Sequence, residues 1–192
     1  MSSAELKLNP IEDARAVIAE QLSESCIALF ETYGLQISEN TSVDEAFKSS
    51  DETQIIGILG ASAEGLRTSI AILSPLNVLQ SSYPANLDGA REQKLLDWAG
   101  ELANQLLGRL KNKLLPYGCE LTLGVPTVIQ GNNLLSILPK KSEVSRHTFT
   151  TANQGDIDIL LSTLIDAQHF KLTCPNEDTE SELMAEGDFL FF

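Results

Sequence analysis

Basic side chains are scarce in this chain. It has 13 Lys and Arg against 27 Asp and Glu, a formal net charge of −14. That balance argues against nucleic-acid binding, which needs clustered cations, and against docking on anionic membranes. The cysteines Cys26, Cys119 and Cys174 are odd in number, far apart and lack any C-x-x-C spacing, so reduced thiols in a cytoplasmic protein are expected. Only His147 and His169 could join them. Neither stands at ligand spacing, so no bound metal is expected. No apolar run approaches a membrane span, and the start Met1–Lys7 lacks the charged-then-apolar order of a secretory signal. No Ser-His-Asp set, glycine-rich phosphate loop or activating cysteine environment can be read from the chain.

What is present suits one globular domain with an extension: 192 residues, 43% of them hydrophobic. Apolar residues recur at helical spacing over 10–33, from Ile11, Ala14, Val17, Ile18 and Leu22 to Ile27, Leu29 and Phe30. Asn9 caps this helix, Pro10 opens it and Gly34 stops it. Residues 38–52 read as a loop or weak edge strand. The runs 54–60 and 66–73 form a hairpin about a turn at 61–65. Ser74-Pro75 opens a short helix, and 81–88 is a loop. A second long helix spans about 89–115 and ends at Pro116. Four strands are expected at 119–125, 133–138, 145–151 and 156–165, with turns at Gly131–Asn133 and Asn153–Gly155. The order is α+β, with two long helices on one face of a mostly antiparallel sheet. Domain boundaries are expected at 1–165 and 166–192.

The most informative stretch is Asp97 to Gly131. On a wheel turning about 100° per residue, Glu101, Asn104 and Gly108 fall within about 40° of Asp97, on one side or the other. Leu95, Ala99, Leu102, Ala103, Leu106, Leu110 and Leu114 take the opposite, core-facing side. Asn and Gly are poor helix formers, and here they occupy an exposed face. Glu101 and Asn104 are one turn apart, so both can reach one bound group. A carboxylate can grip a lysine, and a carboxamide can hold a water in one orientation. Gly108 would leave room for a partner. The plainer reading is a polar, solvated helix face. The first helix has Ala16, Glu20 and Ser23 at the same spacing, a weak pseudo-twofold repeat that keeps only the glutamate.

Asp97-x-x-x-Glu101-x-x-Asn104, with Pro126 twenty-two positions after the Asn, resembles the signature of the CheC–CheX–FliY chemotaxis phosphatases. Pro126-Thr127-Val128-Ile129-x-Gly131 is most similar to the CheX branch. The resemblance implies a CheX-like fold and hydrolysis of the aspartyl phosphate on a CheY-type response regulator. It implies that Glu101 docks on the regulator's lysine, Asn104 orients the attacking water and Asp97 supports the contact. Mg²⁺ would sit on the regulator. One site per chain is implied, because Ala16 and Ser23 break the first-helix motif. A homodimer is implied as well. The alternative is a non-catalytic binding or adaptor module of the same fold in a chemotaxis or other two-component complex.

Residues 166–192 lie outside the resemblance. They hold seven acidic residues and one Lys and end in Phe189-Leu190-Phe191-Phe192. Such an end can dock on its own domain or serve as a partner-docking peptide.

Overall fold

The fold was established from a computed structural model, which describes residues 10–40, 52–84, 92–134, 144–152 and 155–173. Helix α1 (Pro10–Thr32) leads to strand β1 (Ile37–Asn40), then to the hairpin of β2 (Gln54–Ala63) and β3 (Leu66–Pro75). Helices α2 (Leu76–Ser81) and α3 (Glu92–Leu114) follow. Strands β4 (Thr122–Leu123), β5 (Thr127–Gly131), β6 (Val144–Thr151) and β7 (Gly155–Ile165) complete the described chain. The strands form one antiparallel sheet in the order β1-β6-β7-β3-β2-β4, and β5 also pairs with β2. The α+β architecture is therefore the one the periodicity predicts.

Alternation along the strands builds the core. Ile55 and Leu59 of β2, Ile70 and Ile72 of β3, and Ile157, Ile159 and Leu161 of β7 point to one face. There they pack against Ile18, Leu22, Leu29 and Phe30 of α1 and the leucine stripe of α3. Every residue assigned to the inner side of α3 is buried, and Trp98 and Leu107 join them. The other sheet face carries a smaller apolar cluster of Ile56, Ala71, Leu73, Leu134 and Leu160. Burial pushes the thiols of Cys26 and Cys119 up from their ordinary value, so both are poor nucleophiles.

Glycine decides how closely α3 lies on the sheet. A Cβ on Gly57 would sit 2.6 Å from the Ala99 carbonyl oxygen. The helix backbone therefore rests directly on β2 at a point no other residue allows.

Several local expectations are corrected. The strand expected at 133–138 is not formed at its described start, Asn133 and Leu134. The ladder lies earlier, where Gln54 pairs with Gly131 and Ile58 with Thr127. The positions beyond 134 fall outside the described residues. The strand expected over 119–125 shrinks to Thr122–Leu123, and Pro126, which has no N–H to donate to a ladder, separates it from β5. Pro75 ends β3 and stands before α2 instead of opening it, and Ser74 makes no helix cap. The hairpin turn narrows to Glu64-Gly65, where Gly65 has a positive φ. Ile37–Asn40 is an edge strand on β6; the rest of the loop expected at 38–52 is described only from Glu52. Asn9, the expected cap of α1, lies outside the described residues, as do 85–91.

The fold does not confirm the internal repeat. Ser23 of α1 donates a hydrogen bond to Glu39 of β1, so it is engaged inside the domain, unlike its counterpart Asn104. Beyond β7, Phe170 is buried in the main core and the Thr173 N–H donates to the Tyr117 carbonyl at 2.9 Å. The first eight residues after Ile165 thus dock on their own domain; residues from 174 fall outside the described set.

Candidate functional site

The wheel's outward stripe exists. Asp97 and Glu101 are exposed on α3, while Asn104 and Gly108 are half-buried on the same side. The four do not stand alone. Asp97, Glu101 and Asn104 line a shallow groove of about 440 Å³ with Gln93, Leu96, Gly100, Pro126 and Val128. The groove forms where α3 crosses the start of β5. Gly100 makes that crossing close: a Cβ there would come within 3.3 Å of Val128 Cγ2 and 3.7 Å of Pro126 Cγ. Pro126, distant in sequence, thus becomes one wall of the recess beside Asn104. Val125, just before it, is 86% exposed at the rim. Nothing would lie within 4 Å of a Cβ on Gly108, so the surface below Asn104 is open.

Hydrogen bonds hold part of the stripe in place. The hydroxyl of Tyr33, in the turn just after α1, donates to Gln105 Oε1 at 2.7 Å, and Gln105 Nε2 donates to Glu101 Oε1 at 2.8 Å. Tyr33 is itself braced edge-on against Trp98, with ring centroids 4.7 Å apart, and Trp98 Nε1 donates to Ser82 Oγ at 3.0 Å. A chain of contacts from the core therefore aims one oxygen of Glu101 and leaves the other available. Gln93 Nε2 donates to Asp97 Oδ1 at 3.2 Å. Asn104 makes no hydrogen bond to a described residue, so its carboxamide keeps both donor and acceptor for an incoming group. Tyr33 and Gln105 were invisible to sequence reasoning, because their link spans 72 positions. Only the one-turn spacing of Gln105 from Glu101 could have hinted at it.

The described residues bring together no group of three His, Cys, Asp or Glu side chains suited to a metal. They do assemble one set that the sequence does not show. Glu39 Oε1 lies 2.7 Å from His147 Nδ1, and His147 Nε2 lies 3.2 Å from Ser145 Oγ. With Ser23 also bonded to Glu39, this chain ties α1, β1 and β6 together at the far end of the sheet from the groove.

The architecture defines a CheX-like α+β domain. The chain resembles a CheX chemotaxis protein from Desulfovibrio desulfuricans with a TM-score of 0.62 at 18% identity, covering 76% of this chain and 98% of that one. It is similar to CheX from Vibrio vulnificus with a TM-score of 0.61 at 18% identity, over 76% and 95% of the two chains. A CheX–CheY–BeF3–Mg²⁺ complex from Borrelia burgdorferi matches with a TM-score of 0.55 at 17% identity, over 82% and 99%. At such identities the likeness shows the fold. A search of curated proteins by sequence finds no match. The family model described as chemotaxis phosphatase CheX matches residues 56–150, a span that holds the whole α3 stripe and Pro126. Over residues 56–150 the chain matches the CheX family, within the CheC–CheX–FliY group.

Proposed function

We propose that the chain hydrolyses the aspartyl phosphate of a phosphorylated CheY-type response regulator. The observation that carries this reading is the unpartnered Asn104 carboxamide, set one turn from a braced Glu101 above a groove walled by Pro126. The Borrelia burgdorferi relative is seen with CheY, BeF3 and Mg²⁺, which supports a regulator as the partner here. In the proposed complex Glu101 pairs with the regulator's lysine. The Asn104 carbonyl accepts a hydrogen bond from a water and so turns the water's lone pair toward phosphorus. The water oxygen attacks in line as the bond to the aspartyl oxygen breaks. Mg²⁺ on the regulator offsets the charge on the phosphoryl oxygens and the released carboxylate. Such a reaction needs placement and charge stabilisation, with no covalent catalyst. Asp97 supports the rim of the contact. A homodimer, a cytoplasmic setting and an extension beginning at residue 166 belong to the same reading.

The test is phosphate release from a phosphorylated regulator, with and without the chain. Binding without faster release would leave the adaptor reading in its place. Gly108 gives a separate check on the footprint. Gly108→Leu fills open space and favours the helix by roughly 0.8 kcal/mol, so the fold should hold or gain. Regulator affinity should fall, and unchanged affinity would remove Gly108 from the contact. Gln105→Leu leaves Glu101 present but unaimed. Release should slow about tenfold, roughly the lower end of the effect of one hydrogen bond to a charged group, with the urea midpoint little changed. A rate equal to wild type would show that Glu101 needs no bracing.

A further inference from the structure

We propose that the chain has a second active site, in which Ser145, His147 and Glu39 hydrolyse small uncharged esters of short acyl chain by way of an acyl-serine. Ser145 and His147 stand two apart on β6, so their side chains leave the same face of the strand. Glu39 reaches them from β1, 108 positions from His147 in the chain. Its Oε1 lies 2.7 Å from His147 Nδ1, and its Oε2 accepts a hydrogen bond from the Ser23 hydroxyl of α1. Both carboxylate oxygens are thus engaged, which fixes the orientation of Glu39. An ionised carboxylate only accepts, so Nδ1 carries the ring proton and Nε2 is left as an acceptor. Nε2 lies 3.2 Å from Ser145 Oγ, within reach of the hydroxyl proton. A nucleophile, a base and a group that orients the base therefore stand in line, the arrangement that activates serine on unrelated folds.

Exposure along the set runs in the direction such a site needs. The side chains of Glu39 and His147 are only 27% and 14% exposed. Ser145 is exposed and lines a recess of about 280 Å³, walled by Val144, Leu161 and the Ala16 and Ala19 of α1. Those walls suit an acyl chain of about two to four carbons. The net charge of −14 repels anionic substrates, so the ester is uncharged. In the first step Ser145 Oγ bonds to the carbonyl carbon as its proton passes to His147 Nε2. The tetrahedral adduct then expels the alcohol oxygen, which takes that proton, and Ser145 is left acylated. A water repeats the sequence on the acyl carbon, giving its proton to Nε2, and the carboxylic acid leaves as Ser145 regains a hydrogen. Glu39 touches no substrate. It is a positioning residue that holds His147 in one tautomer. A clasp that merely tied α1, β1 and β6 together would not use the exposed Ser145 hydroxyl.

The full chain is assayed with the p-nitrophenyl esters of acetate, butyrate and laurate. In parallel it is treated with phenylmethylsulfonyl fluoride and the adduct is located by peptide mass mapping. Hydrolysis of acetate and butyrate above the buffer rate is expected, with little of laurate, and the adduct should sit on Ser145. Ser145→Ala should bring hydrolysis to the buffer rate and abolish the adduct, with the thermal midpoint unchanged because the side chain is exposed. His147→Ala should slow hydrolysis about a hundredfold, the scale of a lost general base, and imidazole in solution should restore part of it. Glu39→Gln can donate to Nδ1 and so favours the wrong tautomer. It should cut kcat about tenfold or more with KM little changed, a split that a loss of stability would not produce. No hydrolysis above buffer, undiminished hydrolysis in Ser145→Ala, an adduct found only elsewhere, or an unchanged kcat in Glu39→Gln would each overturn the proposal.

Discussion

Asn104→Ala is expected to slow phosphate release from a phosphorylated regulator by about a hundredfold, the scale of one lost positioning group, without weakening the complex. In the proposed complex the carboxamide touches only the water and leaves the docking contact intact, so kcat should fall with KM little changed. Stability should not suffer. Asn104 bonds to no described residue, and Ala is the better helix former by roughly half a kcal/mol. Glu101→Ala should behave differently. It leaves the regulator's lysine unpaired in the contact, so KM should rise and release should slow by about ten- to a hundredfold. The two variants therefore separate gripping from aiming. Rates within about twofold of wild type in both, far short of that scale, would remove the catalytic assignment and favour the adaptor reading.

The second large effect concerns stability. Gly57→Ala should lower it by ~2–3 kcal/mol, because the added methyl meets backbone instead of a movable side chain. The Ala99 carbonyl oxygen lies 2.6 Å from the new atom, and α3 can make room only by rising off β2. The midpoint of thermal unfolding should fall by roughly 4–12 °C for a domain of this size. Gly60→Ala, three positions along the same strand, is the control. Its added methyl would meet nothing closer than 3.8 Å, so the loss should be small. A Gly57→Ala midpoint equal to wild type would mean that the helix does not need that close approach. Because α3 carries the stripe, the lifted helix should also separate Asn104 from Pro126 and depress release beyond the fraction unfolded.

Which parts of this were legible in the sequence follows from the range of the forces involved. The 3.6-residue period of α3 is a local property, so its buried side and its outward stripe of Asp97, Glu101, Asn104 and Gly108 could be assigned from spacing alone. The β2–β3 hairpin is likewise local, set by two apolar runs around Glu64-Gly65. The strand β5 was misplaced for the opposite reason. Val128-Ile129 and the residues after Asn133 are equally apolar in sequence, and pairing with Ile55 to Ile58 of β2 is what places a strand at Thr127–Gly131.

The site divides the same way. Sequence by itself determined the residue types, their common helix face and, through the motif spacing, the family they resemble. Tertiary structure alone brought Pro126 and Val128 against Gly100 and ran a hydrogen-bonded brace from Tyr33 through Gln105 to Glu101. It also set Glu39 beside His147 and Ser145. Each of these joins residues far apart in the chain, and contacts of that kind form only once the sheet's register and the seat of α3 on Gly57 have fixed where the backbone runs.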